Sequence, residues 1–215
     1  AFSITLPLWL KITKPKKIII CNQFSVYSRS LAKSAYRLGI ETVLVQHATV
    51  PQNAPTLKNN HIAILEGKYS LSEYQKNGSK NLKIYLAGLP KFDNYYNQIN
   101  QNNKVNNVGI CINGVDNVSD FEKLITHVAK IDNLKNIYIR PHPTDRRFNV
   151  WKKIAAKNGI KFSNSRKVNS FDFLTNVDLI IAGNSNIHLE AVSLNVLSIF
   201  FDPLNIKYDH YGFIK

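Results

Sequence analysis

Short apolar, β-branched runs separated by stretches of helical periodicity constrain this chain more than any other feature. Lys17-Ile18-Ile19-Ile20-Cys21, Thr42 to Gln46, His61 to Leu65, Lys83 to Leu86, Val108 to Ile112, Ile137 to Ile139, Asp178 to Ala182 and Val196 to Phe201 each have the length and composition of a buried strand. Between them, Ser28 to Leu38 sets Leu31, Ala35 and Leu38 on one face and stops at Gly39. Ser119, with Glu122 three positions on, fits a capping box, and Phe121, Leu124, Ile125 and Val128 follow at helical spacing. Val150 to Asn158, closed by Gly159, and Ile187 to Leu194 read as further helices. Strands alternating with helices predict an α/β fold with a mainly parallel, Rossmann-like sheet. Residues 94–107, rich in Asn, Gln and Tyr, read as a linker. They divide the chain into a first domain over 1–100 and a second over 101–215.

Hydrophobic residues make up 44% of the chain, enough for a sizeable core and against disorder. No run reaches the roughly 18 apolar residues of a membrane span. The apolar opening, Ala1 to Leu10, is short, contains Pro7 and has no basic leader. It reads as a buried segment, or as a surface touching a partner or lipid, rather than as a signal peptide. Cys21 and Cys111 lie inside apolar runs and read as buried, reduced thiols. GxGxxG, GxxxxGK[ST], CxxC and HExxH are all absent, which removes support for dinucleotide oxidoreductase, P-loop and zinc readings. The net charge of +14 favours anionic partners: nucleotide phosphates, a charged polymer or anionic lipid. Local clusters are Lys11 to Lys17, Arg140 with Arg146-Arg147, Lys152-Lys153 and Arg166-Lys167. None forms a basic recognition helix or an aromatic RNA-binding signature, so nucleic acid is not an expected partner.

In open α/β sheets ligands bind beyond the carboxyl ends of the strands. Arg140-Pro141-His142-Pro143 follows one predicted strand, and the two prolines fix the backbone on either side of His142. An imidazole with a guanidinium beside it suits a nucleotide phosphate. Gly183-Asn184-Ser185-Asn186 lies between a strand and a helix. There Gly183 permits an unusual backbone angle, Asn184 or Ser185 caps the helix, and first-turn amides face an anion. Ser185 has a hydroxyl to donate, and Glu190 in the same helix is a carboxylate suited to ribose hydroxyls. In the first half, Gln46-His47-Ala48-Thr49 places His47 at a strand end as a ligand or acid/base candidate. Isolated, each cluster is an ordinary turn or cap. His61 and His127 read as structural, His188 as a helix-surface residue flanking the phosphate loop, and Asp209-His210 carries no readable context. Asp93, Asp116 and Asp145 form no convincing pair.

With these clusters in order, the chain resembles bacterial polymer transferases of the two-domain Rossmann class called GT-B. It is most similar to CDP-glycerol glycerophosphotransferases and to CMP-sugar transferases of capsule and wall synthesis. His142-Pro143 resembles the element that contacts donor phosphate in that group. The run 178–186, with Glu190-Ala191 and 196–200, resembles its phosphate-binding strand, loop and helix, and Gln46-His47 resembles its strand-end histidine. The likeness is good over about 105–203 and looser over about 15–90. It implies a carboxy-terminal nucleotide-binding domain preceded by the end of an amino-terminal Rossmann-like domain, and hence a piece of a longer enzyme, consistent with the absence of Met. Asn184-Ser185 stands where the group often has two hydroxyl residues. The resemblance implies a metal-independent enzyme without a cofactor. Its donor is a nucleotide-activated sugar or glycerol phosphate, its acceptor a polysaccharide or glycolipid hydroxyl. Its expected place is the cytoplasm, at the inner face of the membrane. A UDP-sugar epimerase of similar fold and a non-catalytic, basic polymer-binding domain are the rival expectations.

Overall fold

The computed structural model describes residues 2–79 and 82–203. Asp209-His210 and the carboxy-terminal end of the expected second domain lie outside the described residues. The chain separates into two compact units, the first running to Pro90 and the second starting at Lys91.

The first unit contains α1 (Phe2–Thr13), β1 (Lys17–Ile20), α2 (Val26–Arg37), β2 (Glu41–Val45), β3 (Ile62–Leu65), α3 (Lys68–Lys76) and β4 (Lys83–Leu86). Its four strands are parallel and stand in the order β1-β2-β3-β4, each beside its predecessor. Asn22 Oδ1 accepts the Phe24 and Ser25 amides, and Ser25 Oγ accepts the Tyr27 amide. These bonds start α2 on donors that would otherwise lack helical partners. Ala32 and Ala35 of α2 and Leu10 of α1 then pack on Ile20, Leu44 and Leu65 of the sheet. The crossover from β2 to β3 carries no helix. It is an irregular segment over 46–61, anchored by the buried Val50, Ala54 and Leu57. His61 is structural, as expected: its Nδ1 accepts the Thr42 amide at 3.1 Å. Cys21 is exposed rather than buried, because β1 stops at Ile20 and the thiol falls in the following turn.

The second unit contains β5 (Asn107–Ile112), α4 (Val118–Val128), β6 (Asn136–Pro141), α5 (Phe148–Lys157), β7 (Lys161–Phe162), α6 (Ser170–Leu174), β8 (Leu179–Ala182), α7 (Ile187–Ser193) and β9 (Leu197–Phe200). All five strands are parallel, in the order β7-β6-β5-β8-β9. The chain steps outward from β5 to β7, then returns to the other side of β5. Phe121, Ile125, Trp151 and Ile154 close one face of this sheet over Ile110, Ile112 and Ile139. Helix α6 closes on β5 through Gly109, where an added Cβ would lie 2.7 Å from Phe173 Cζ. The cap of α4 is Asn117, whose Oδ1 accepts the Ser119 and Asp120 amides, so Ser119 sits inside the helix and not at its cap.

The Asn-rich segment is not a linker. Pro90–Gln98 forms a 3-10 helix whose Tyr95 stacks on Phe171, at 5.1 Å between ring centroids, and donates to Asp172. Beyond it, Asn100 and Asn102 side-chain amides, the Asn106 and Asn107 backbone amides and the Asn107 side chain all donate to the Asp178 carboxylate. Burial alone would raise this carboxyl, but the ring of donors outweighs it and holds the group below the usual range. Asparagines that look like low-complexity sequence thus solvate one buried anion.

Candidate functional site

Strand order in the second sheet reverses between β5 and β8, so the loops leaving their carboxyl ends diverge to opposite faces and leave a crevice. Those loops are Asn113–Asn117 and Gly183–Asn186, with His142–Arg147 following β6 alongside. Asn113 Nδ2 donates to the Asn184 carbonyl at 3.0 Å, tying the loops across the switch point. Gly183 has no left-handed φ, contrary to the role expected for it. Its requirement is steric, since a Cβ there would stand 2.8 Å from Asp116 Oδ1. Burial lifts the Asp116 carboxyl above its ordinary range, against the Asn113 amide and Arg147, which pull it down.

His142 is exposed at the end of β6, and its own amide extends the ladder to the Ile112 carbonyl at 2.7 Å. Nδ1 accepts the Thr144 amide at 3.3 Å and lies 2.8 Å from Thr144 Oγ1. The neutral ring therefore carries its proton on Nε2, which has no partner among the described residues. Two arginines hold the loops. Arg147 donates to the Asp116 and Asn113 carbonyls at 2.6 and 2.8 Å and pairs with the buried Asp145. Arg166 donates to the Pro143 and Asp145 carbonyls at 2.9 and 3.0 Å. They donate to loop carbonyls and, for Arg147, to the Asp145 carboxylate, so these charges shape the site before they meet any ligand.

No family model and no curated protein matches the chain in sequence. Solved structures match in shape. A Listeria monocytogenes protein assigned as a UDP-N-acetylglucosamine 2-epimerase superimposes with a TM-score of 0.60 at 10% identity, over 94% of this chain and 60% of its own. MurG of Acinetobacter baumannii gives 0.59 at 13% identity, over 97% and 58%. A further UDP-N-acetylglucosamine 2-epimerase gives 0.57 at 13% identity, over 94% and 59%. The fold is of the GT-B type. The chain spans about 60% of the length of the structures it matches.

Within this GT-B scaffold the expected site residues separate. His142, Gly183, Asn184, Ser185 and Asn186 stand at the carboxyl ends of β6 and β8. Glu190 is in α7 with a side chain only 13% exposed, paired with Lys91 at 3.4 Å, and so does not sit on a solvated face. Arg140 is buried in the fold. It is 5% exposed, donates to Ser163 Oγ and the Val168 carbonyl, and covers the Phe173 ring at 4.8 Å. Burial pulls its pKa down, while Cys111 and Glu190 act to raise it. Cys111 is buried as expected, and its thiol is pushed up to about 12 by burial. The first-turn amides of the seven-residue α7 are also occupied: Ile187 by Ser185 Oγ, His188 by the Ser185 carbonyl and Leu189 by the Asn186 carbonyl. His188 is not a surface residue. It is buried, with Nε2 2.9 Å from the Gly183 carbonyl and Nδ1 2.5 Å from Ser198 Oγ, and it fixes the loop from below. His47 belongs to the first unit, exposed at the carboxyl end of β2 beside Gln46, whose side chain is bonded to Glu66. Among the described residues no group of three or more His, Cys, Asp or Glu is arranged to hold a metal ion.

The sequence reading passed over Asn113, and it named Asp116, Arg147 and His188 without the roles they have in these loops. The polar run after 108–112 carried the same strand-end signal as the two clusters that were selected, and would have pointed to Asn113 and Asp116. Nothing local distinguishes Arg147 from Arg146, or shows that His188 turns inward.

Proposed function

We propose that the second unit binds the nucleotide end of an activated sugar, and that the protein it belongs to transfers that sugar, or a glycerol phosphate, to a hydroxyl of a polysaccharide or glycolipid. The observation that carries this reading is the grouping of three strand-end loops around a topological switch point, with His142 exposed at the end of β6 and Ser185 in the loop after β8. In this reading the Ser185 hydroxyl, the Gly183–Asn186 backbone and His142 receive the phosphates, and Glu190 receives the ribose. Arg140, buried with its guanidinium on Ser163 and Val168, adds positive potential rather than a direct contact. The acceptor oxygen attacks the anomeric carbon, or phosphorus in the glycerol case. The bond to the nucleotide phosphate breaks with its electron pair, and His142 stabilises the charge that collects on the leaving phosphate. His47 is the candidate in the first unit for taking the acceptor proton. The donor we favour is CMP- or CDP-linked, and no metal or cofactor is invoked.

The partner surface we favour is anionic membrane. Leu8, Trp9 and Ile12 of α1 are exposed beside Lys11, Lys14, Lys16 and Lys17, the composition of an interfacial helix. No described helix is long and apolar enough to cross a membrane. The epimerase assignment of two of the matched structures favours a second reading, conversion of a UDP-sugar without an acceptor.

A thermal-shift panel of CMP, CDP, UMP, UDP and GDP decides between them. A ligand at about 100 times its Kd adds about 2.7 kcal/mol of stability. Cytidine-selective stabilisation lost in His142→Ala supports the transferase. Uridine selectivity with turnover in the absence of an acceptor supports the epimerase. Failure of every nucleotide to stabilise the protein rejects both.

A further inference from the structure

The strand order of the first sheet decides where its connections can lie. Each of β2, β3 and β4 is added on the same side of the strand before it. Right-handed crossovers taken always in one direction put every connection on the same face of the sheet. The packing agrees. Ala32 and Ala35 of α2, Tyr74 of α3, Leu57 of the helix-free crossover and Leu10 of α1 all join one core cluster, and the strands enter it through Ile18, Ile20, Leu44, Ala63 and Leu65. The alternate positions of the strands point to the other face. There Ile19, Val43 and Ile62 form one row across β1, β2 and β3, and Val45, Ile64 and Tyr85 form a second across β2, β3 and β4. None of these six belongs to the core cluster. Ile19 is 68% and Tyr85 55% exposed. Wholly parallel sheets have helices over both faces, because their strands are apolar on both. The second sheet obeys this rule: it doubles back, with α4 and α5 on one face and α6 on the other. The first sheet is apolar on both faces, and its described helices pack on one.

We propose that the uncovered face is the seat of a helical segment of the same polypeptide lying outside residues 1–215, and not of a second copy of this chain. Size decides against the second copy. Four strands about 4.8 Å apart, each four residues long at about 3.3 Å per residue, present roughly 250 Å². A standard protein–protein interface takes about 800 Å² from each partner. A patch this small keeps a cover only when the cover is tethered, because a tether replaces free association with a high effective concentration. The chain also spans about 60% of the length of the structures that share its fold, so proteins of this shape carry further chain. The segment that fits is an amphipathic helix with its apolar stripe on the two rows. Lys17 and Glu41, paired at 2.8 Å, and the exposed Lys83 border the rows and meet its polar flanks. The inference is independent of the nucleotide reading, because all these residues lie in the first unit.

Thiol reactivity tests it. A Cys21→Ser background removes the exposed native thiol and leaves only the buried Cys111. In that background Ile19→Cys and Tyr85→Cys report on the face, and Ile131→Cys, at an exposed position of the second unit, is the reference. Each variant is made both in the 215-residue chain and in the whole polypeptide its gene encodes, checked by circular dichroism and reacted with a maleimide. In the 215-residue chain the two face positions react as fast as the reference. In the whole polypeptide they react at least about a hundredfold more slowly, because the cover must open first. Ile19→Lys lowers the melting temperature of the whole polypeptide and leaves that of the shorter chain unchanged. Three results overturn the proposal: equal reactivity in both proteins, protection in the shorter chain that grows with its concentration and so seats a second copy, or an intact mass showing that the native polypeptide holds nothing beyond these residues.

Discussion

The two sheets are built from the same parts and differ in one respect. In the first, each strand lies beside the one before it, β1 to β4. In the second, the order doubles back, and β5 is flanked by β6 on one side and β8 on the other. Only the doubled-back order makes neighbouring loops part company, and the knit cluster of Asn113, Asp116, Arg147, Gly183 and Asn184 lies where they do. The first sheet has its own opening, but on its face, where a crossover lacks a helix. Topology, more than composition, decides which end of a sheet becomes a site.

The largest expected effect probes what holds the reversed sheet together. Removing the Asp178 carboxylate strands its five donors, and Asp178→Ala should destabilise the second unit by about 3 kcal/mol or more. Trp151, buried in that unit, reports its unfolding in a Trp9→Phe background, and an unchanged denaturation midpoint would refute the role given to the Asn-rich segment. The same carboxyl gives a pH signature. Its folded pKa is depressed, so its contribution is complete above the unfolded value of about 3.9 and is lost as pH falls through the lower folded value. Asp178→Asn should therefore flatten the acid limb of the stability curve.

Next in size is Arg147→Ala, which frees the 113–117 loop and leaves the buried Asp145 without its ion pair. A loss of about 2 kcal/mol is expected, together with loss of nucleotide-dependent stabilisation in thermal shift. Gly183→Ala should cost about 1 kcal/mol and weaken nucleotide binding more than it weakens the fold, because the new methyl must displace Asp116. Wild-type binding in that variant would show that the switch point is not where nucleotide sits. His47→Ala should leave both stability and nucleotide stabilisation unchanged and lower turnover with acceptor about a hundredfold. Full turnover would remove the first unit from the chemistry.

Much of the strand content was readable, because the strands are short apolar runs: β2, β5 and β8 are buried along most of their length, and even β1, β4 and β9, with exposed positions, stay apolar. Their order was not, since the same alternation serves a sheet that grows in one direction and one that doubles back. For the same reason the orientation of Arg140 was hidden: with both faces covered, period-two alternation does not say which face carries the ligand. Helix α1 was not foreseen in the apolar opening; Pro7, which counted against a signal peptide, lies in its middle. The two residues of β7 and the five of α6 are too few to show a period. The Ser119–Glu122 spacing was genuine, yet Asn117 captured the amides first. His142 and the 183–186 loop were found because polar residues directly after an apolar strand are a local signal. Arg147 and His188 act through partners far away in sequence.

The order of strands also sets how the chain can fold as it leaves the ribosome. The first sheet can grow one strand at a time, each new strand finding its neighbour already in place. The second cannot: Val108 of β5 pairs with Leu179 of β8, so one edge of its central strand stays open while the intervening stretch is made. During that interval the apolar edge of β5 is the part of the nascent chain most in need of a chaperone, and the unit that completes the switch point is the last to become safe from aggregation.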